Sequence, residues 1–161
     1  MRGELRLRLY RPDDFEDSVA LWMRAWQAAL PEIAFAKRLE WWQHRWQHEL
    51  VPNNTITIAE IGGKLEGFAV IDPKTGWLDQ LAVEPVLWGH GIADALIEEA
   101  KRLSPTLIQL DVNQSNGRAI RFYERMGFVR TGTGVNKNSG AATYLYEWRA
   151  GRSERAPAER E

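Results

Sequence analysis

Two glycines separated by one residue, Gly89 and Gly91, follow an apolar strand-like run ending at Val83 and open a helical pattern. Pro85 ends the strand, because proline cannot donate to a sheet ladder. After the glycines, Ala93, Leu96, Ile97, Ala100 and Leu103 recur at helical spacing and predict one buried face. Ser104-Pro105 stops the helix, and Leu107 to Val112 follows as a short strand. A strand, a helix and a second strand of one sheet connect right-handedly, with the two strands parallel. The chain must therefore build a sheet with at least one parallel step at this point.

The remaining elements arrange themselves around that unit. Leu5, Leu7 and Leu9 alternate with Arg6 and Arg8, which predicts a strand with one buried face. Pro12 ends it, and Asp13 with Glu16 three residues on has the spacing of a capping box. Phe15, Val19, Trp22, Trp26 and Ala29 continue as a helix closed by Pro31, and a second helix over 35–50 carries Phe35, Leu39, Trp42, Trp46 and Leu50 on one stripe. Strands are predicted from Ile56 to Ile61, from Leu65 to Asp72 and from Trp77 to Val83, joined by a tight Gly62-Gly63 turn and a Pro73–Gly76 turn. Such short connections make these three antiparallel. Ala119, Phe122, Tyr123 and Met126 form a further helix stripe, capped by Ser115 or Asn116 and ended by Gly127. Phe128 to Arg130 and Thr143 to Trp148 read as a final strand pair, with Gly132, Gly134 and Gly140 implying a flexible loop between them. The order β-α-α-β-β-β-α-β-α-β-β predicts an α/β (α+β) fold with a mixed, mostly antiparallel sheet flanked by helices. At 161 residues one domain is expected, over 1–148. The tail 149–161 has almost no apolar bulk and is expected to be disordered.

Composition narrows the chemistry. There is no cysteine, which removes disulfides, thiolate catalysis and cysteine zinc sites, and fits a reducing compartment. The net charge of −1 creates no global field for nucleic acid or an anionic membrane. The alternating start lacks the apolar core of a signal peptide, and no stretch approaches a membrane span. A soluble cytoplasmic protein without nucleic-acid or membrane partners is expected. His44 and His48 stand four apart on a helix, but the HRWQH sequence lacks the glutamate of the metalloprotease pattern, so a solvated helix face is expected and no metal site. Five of the eight tryptophans, Trp22, Trp26, Trp41, Trp42 and Trp46, fall in the first third. They read either as core or as the wall of an aromatic pocket.

The glycine segment carries a ligand hypothesis of its own. The first turn of a helix has unpaired N–H groups and the positive end of the helix dipole, and flanking glycines let an anion approach closely. That makes a pyrophosphate cradle without lysine or arginine. Glycine before a helix is also an ordinary structural connection. GHGIAD lacks the third glycine of a dinucleotide fingerprint, and no Lys-Ser or Lys-Thr pair marks a P-loop.

A second stretch, from Asn113 through Phe128, supplies the missing specificity. Asn113, Asn116, Ala119, Tyr123, Gly127 and Phe128 match the motif Asn-x-x-Asn-x-x-Ala-x-x-x-Tyr-x-x-x-Gly-Phe. Gly91 and Ala93 match the preceding (Gln/Arg)-x-x-Gly-x-(Gly/Ala) motif, with Trp88 where Gln or Arg is usual. Over roughly Arg6 to Trp148 the chain resembles the GCN5-related N-acetyltransferase (GNAT) superfamily. The resemblance implies direct transfer of an acetyl group from acetyl-CoA to an amine, with no metal. It implies that main-chain groups of Leu81, Ala82 and Val83 hold the pantetheine arm and polarise the thioester carbonyl. Trp88, Gly89, His90, Gly91, Ile92 and Ala93 would cradle the pyrophosphate, His90 through its backbone, while Trp88 puts the usual side-chain contribution in question. Asn113, Asn116, Ala119 and Tyr123 would complete the cofactor site, although asparagine at Asn116 is by default a helix cap.

The same resemblance makes Tyr123 the general acid for the departing thiolate, against a structural role as a core aromatic. Asp79 is the candidate base. It shares strand parity with Leu81 and Val83, which places it on their face; Glu84 is the weaker candidate. The acceptor pocket should come from the first two helices and the loop from Val135 to Ala142, and the indoles favour an apolar or aromatic amine, or a cation over an indole face. The last strands could pair between subunits as a homodimer. The competing class is a non-catalytic acyl-CoA-binding or regulatory module of the same fold.

Overall fold

The computed structural model describes residues 3–151. The elements run β1 (Leu5–Leu9), α1 (Phe15–Ala29), α2 (Leu39–Arg45), α3 (Val51–Asn53), β2 (Thr55–Ile61), β3 (Lys64–Asp72), β4 (Trp77–Val83), α4 (Ile92–Leu103), β5 (Leu107–Asn113), α5 (Gly117–Arg125), β6 (Val129–Val135) and β7 (Ala142–Arg149). The strands form one sheet in the order β1-β2-β3-β4-β5-β7-β6, antiparallel throughout except for β4 beside β5. The mixed sheet and the order of elements expected from the sequence are both present.

β3 explains how the two helical layers share one sheet. Its alternate residues are buried on opposite faces, as a central strand requires. Phe68 and Val70 join Trp22, Trp42, Trp46 and Ile58 beneath α1 and α2. Ala69 and Ile71 join Ile92, Leu96, Ile97, Ile108, Leu110 and Tyr146 beneath α4 and α5. The tryptophans of the first third are mostly core: Trp22 stacks on Trp42 at 4.3 Å, and Trp46 packs edge-on against Tyr10 and Phe68. The second helical segment starts as a 3-10 turn at Phe35–Arg38 and passes through a π turn at Trp46–Leu50 into α3.

Several expectations are corrected. β1 lies at the sheet edge, so Leu5 and Leu9 remain exposed. What holds β1 is the opposite face, where Arg8 spans Asp14 and Glu60 at 2.8 Å each. That guanidinium, more than any other neighbour, keeps the buried Asp14 carboxyl below its ordinary range. Asp14, rather than Asp13 or Glu16, closes the cap at the start of the first helical segment, by accepting from the Arg11 amide at 2.8 Å. On α4 the deeply buried residue of the first turn is Ile92, and Ala93 is only half-buried. Gly132 and Gly134 lie within β6, paired with Leu145 and Thr143, so only residues 136–141 form the final loop. Arg149 pairs with Leu107 at the end of β7 rather than starting a tail; the expectation for 152–161 lies outside the described residues.

Candidate active site

β4 and β5 pair at a single position, Trp77 with Gln109. Beyond it they part. Opposite Val70 and Ile71 of β3 stand Gln80 and Leu78, so Asp79 is an extra, unpaired residue of β4. Such a bulge bends a strand and interrupts its pairing. The parted strands open a cleft of about 570 Å³, walled by residues 78–83 of β4 and 110–113 of β5. The edge of β4 that faces β5 is left without a ladder partner beyond Trp77.

At one end of the cleft lies the glycine turn. Gly89 and Gly91 have φ of +84° and +88°, the left-handed region that favours glycine, and an added Cβ at either would meet nothing within 4 Å. Backbone conformation, rather than lack of room, therefore requires glycine here. The turn uses two of its own amides: Trp88 N–H donates to the Pro85 carbonyl at 3.1 Å and His90 N–H to that of Leu87 at 3.3 Å. Gly89, Gly91, Ile92 and Ala93 line the cleft, and the first-turn amides of α4 have no i−4 carbonyl. His90 is not among the residues that line the cleft; its side-chain Nδ1 lies 3.1 Å from the Leu87 carbonyl and 3.2 Å from that of Trp88, within the turn itself.

Trp88 fills the place of the usual Gln or Arg in a specific way. Its indole Nε1 donates to the Val83 carbonyl at 2.9 Å, fixing the end of β4 to the turn. The Arg118 guanidinium of α5 lies 4.1 Å over the same ring, a cation–π contact. Desolvation, then the neighbouring Arg121, lower the Arg118 pKa, a situation that an anion in the cleft would relieve. Positive charge thus reaches the turn from α5 rather than from position 88.

The α5 wall is built by the second motif. Asn116 is buried, and its Oδ1 accepts from the Ala119 amide at 3.2 Å, the cap expected. The Asn113 carbonyl accepts from the Asn116 amide at 2.9 Å, and both side chains line the cleft with Ala119. Tyr123 is nine-tenths buried, wedged edge-on against Phe122 and Phe128 with ring centroids 5.3 and 5.4 Å away. It contributes to the cleft wall, and among the described residues its hydroxyl has no hydrogen-bond partner. Burial first, and then the charge of Asp111, push its phenol well above its ordinary range, so it holds its proton.

The bulge overturns the parity argument for Asp79. Leu81 and Val83 pack with the α4 layer, whereas the Asp79 carboxylate meets Arg45 of α2. Both oxygens are engaged, at 2.9 Å by Nη1 and 2.6 Å by Nη2, and Gln80 Nε2 adds a third bond at 3.2 Å. Glu84 is likewise paired, with Arg24 at 2.6 Å. A carboxylate with both oxygens held by one guanidinium takes up a proton only by breaking that pair. The sequence reading missed Asp111, whose side chain faces the cleft with no cation paired to it among the described residues. The signal was a carboxylate inside the apolar run Leu107 to Val112.

Trp22, Trp26, Trp41 and Trp42 line the other end of the cleft, with Asn136, Asn138 and Ser139 of the final loop; Trp46 does not reach it. Tryptophan is thus both core and wall. His44 and His48 are exposed with ring centroids 4.4 Å apart, and among the described residues no three histidine, aspartate or glutamate side chains gather as a metal site. Among the same residues no helix is long and apolar enough to cross a membrane.

Comparison with known proteins agrees with this architecture. The sequence profile of the Acetyltransferase (GNAT) family matches residues 15–128, and the chain belongs to that family. It is 29% identical over 129 residues to the peptidyl-lysine N-acetyltransferase YjaB of Salmonella typhimurium, spanning 80% of this chain and 86% of that protein. It is 27% identical over 137 residues to the uncharacterized N-acetyltransferase MJ1207 of Methanocaldococcus jannaschii, where the match spans 76% of this chain but only 59% of the relative. Among solved structures, apo YjaB from Escherichia coli superposes with a TM-score of 0.75 at 22% identity, covering 90% and 97% of the two chains. The PaiA N-acetyltransferase of Thermoplasma acidophilum, solved in complex with coenzyme A, gives 0.74 at 18% identity, covering 91% and 99%.

Proposed function

We propose that this chain transfers an acetyl group from acetyl-CoA to a primary amine of a small molecule or peptide, by direct attack within a ternary complex. The observation that carries this reading is the parting of β4 from β5 into a cleft that joins a glycine turn with open amides, the unpaired edge of β4 and the buried hydroxyl of Tyr123. The coenzyme A complex of PaiA and the activity in the name of YjaB support it.

Each part has a chemical task. The amides of Gly89, Gly91, Ile92 and Ala93 receive the pyrophosphate, assisted by the α4 dipole and the Arg118 cation. Leu81, Ala82 and Val83 run along the pantetheine arm, and a β4 amide polarises the thioester carbonyl where negative charge develops. Asn113, Asn116 and Ala119 shape the opposite wall. Tyr123, kept protonated by burial, delivers its proton to the departing sulfur.

Thermal melting with acetyl-CoA, CoA and NADH tests the cosubstrate. Either CoA form at 100 times its dissociation constant stabilises the fold by roughly 2.7 kcal/mol. For a chain of this size that is a rise of about 5–10 °C. NADH should give no rise. A rise with NADH alone, or none with either CoA form at millimolar concentration, would contradict the reading.

A further inference from the structure

We propose that the preferred acceptor is an amine that also carries a carboxylate and an aromatic body, the class of the aromatic amino acids, and that Arg38 receives the carboxylate. The inference rests on the acetyltransferase reading and adds the acceptor's chemical class and its specificity-determining residue.

Two ion pairs account for half of the charged side chains that line the cleft, Arg45 with Asp79 and Arg125 with Asp94. Arg38, Asp111, Arg118 and Arg121 have no ion-pair partner among the described residues. Arg118 lies over Trp88 beside the glycine turn, and Arg121 is close enough to repel it, so these two cations belong to the phosphate end. Asp111 stands in mid-cleft on β5, within electrostatic reach of Tyr123 and Asp79. Among the described residues Arg38 is then the unpaired cation of the aromatic end.

Local structure holds Arg38 in that place. It closes the 3-10 turn Phe35–Arg38, and its guanidinium lies 5.5 Å from the centre of the Phe35 ring. Phe35 is buried and packs edge-on against Trp22 at 5.6 Å. Gln27 of α1 fixes the approach to the turn: its Nε2 donates to the Ile33 carbonyl at 2.7 Å, and its Oε1 accepts from the Phe35 amide at 3.3 Å. Arg38 is half-buried, so it has given up part of its water with no protein anion in exchange.

The supply of hydrogen bonds points to the same ligand. The half-buried side-chain acceptors of this end are already engaged. Gln80 Oε1 accepts from Trp26 Nε1 at 3.1 Å, and Arg45 holds both oxygens of Asp79. Asn136 Oδ1 accepts from the amides of Asn138 and Ser139 at 2.8 and 3.1 Å, and Ser139 Oγ from that of Ala141 at 3.2 Å. Donors are in surplus. The Arg38 guanidinium offers a fork of N–H groups, and Trp42 Nε1 has no partner among the described residues. A ligand that fits brings acceptors, and a carboxylate brings two oxygens with the opposite charge. Trp22, Trp26, Trp41 and Trp42 supply the apolar wall for its body.

With the carboxylate on Arg38 and the ring against the indoles, the amine faces mid-cleft, where the parted strands admit the thioester. The transfer then forms the C–N bond at the acetyl carbonyl and breaks the C–S bond. Of the two protons that the ammonium loses, one ends on sulfur by way of Tyr123 and the other in solvent.

The binding test needs no acetyl transfer. The full chain, saturated with coenzyme A, is titrated calorimetrically with 3-phenylpropanoate and with its uncharged analogue 3-phenylpropanamide. The carboxylate should bind about 10- to 10²-fold more tightly. Arg38→Gln should bring the two ligands within about threefold, and Arg38→Lys should keep part of the preference. Lys37→Gln, which changes an exposed neighbour outside the cleft, should leave it whole. In turnover, kcat/KM for L-phenylalanine should exceed that for 2-phenylethylamine by about tenfold or more. The difference should lie in KM, and Arg38→Gln should remove most of it. Equal binding of carboxylate and amide by the parent chain would overturn the proposal. So would an unchanged preference in a well-folded Arg38→Gln protein, which would hand the carboxylate to the α5 cations, or thiol release that favours 2-phenylethylamine over phenylalanine; each of these leaves the acetyltransferase reading standing. A carboxylate preference that depends on Arg38, with no thiol release from any amine, would instead overturn the acetyltransferase reading and with it the acceptor assignment.

Discussion

Tyr123→Phe lowers kcat by about 10²- to 10⁴-fold, the range of a lost general acid, and leaves the dissociation constant of acetyl-CoA within about threefold. The substitution is a clean test. Tyr123 sits in the apolar layer beneath α5, and its ring contacts with Phe122 and Phe128 survive in phenylalanine. Its hydroxyl has no hydrogen-bond partner among the described residues, so removing it leaves no orphaned group. The melting temperature should hold or rise slightly. Steady-state kinetics with a direct thiol readout, paired with a binding titration, separate the two quantities. Turnover within threefold of the parent would make Tyr123 a wall residue and hand protonation of sulfur to solvent.

Gly76→Ala destabilises the fold by about 3 kcal/mol or more, the sum of a left-handed backbone cost of roughly 1–2 kcal/mol and a backbone clash. Gly76 has φ of +81°, and a Cβ there would stand 2.4 Å from the Leu107 carbonyl oxygen. That contact lies beside the one position at which β4 and β5 pair. The Gly76 carbonyl accepts from the Gln109 amide at 2.8 Å, next to the single Trp77–Gln109 pairing. Relief of the clash must therefore move the apex of the cleft, and KM for acetyl-CoA should rise with the loss of stability. Gly63→Ala is the control, since Gly63 has φ of +80° and nothing within 4 Å of the added atom. Urea denaturation should give the control only the backbone cost. Equal losses in the two proteins would mean that the junction is not rigid.

Much of this architecture is legible in the chain because its periodicities are local. The switch from period two to period 3.6 marks β4, the glycine turn and α4, and the Asn116 cap with the Gly127 stop frames α5. What escaped is what two elements decide together. The bulge at Asp79 exists only in the register of β4 against β3, and it moves the carboxylate from the face that parity assigns to the face of Arg45. Gly132 and Gly134 looked like loop residues; in β6 they pair with Leu145 and Thr143, and a Cβ would meet Leu145 in ordinary contact at 3.6 Å from Gly132 but stand 3.2 Å from Thr143 Oγ1 at Gly134. The stacking of Arg118 on Trp88 joins positions thirty residues apart in the chain, and nothing in either neighbourhood announces it. Asp111 was visible as a charge in an apolar strand, but it gains significance only once Arg45 is seen to neutralise its neighbour.

The most direct test of the central claim is release of free thiol from acetyl-CoA with and without 2-phenylethylamine, with mass spectrometry of the amine. The account predicts thiol release that depends on the amine and an equal amount of N-acetylated product. Binding of acetyl-CoA with no amine-dependent release, from this amine or from a panel of lysine peptides and small amines, would contradict it and identify the chain as an acyl-CoA-binding module.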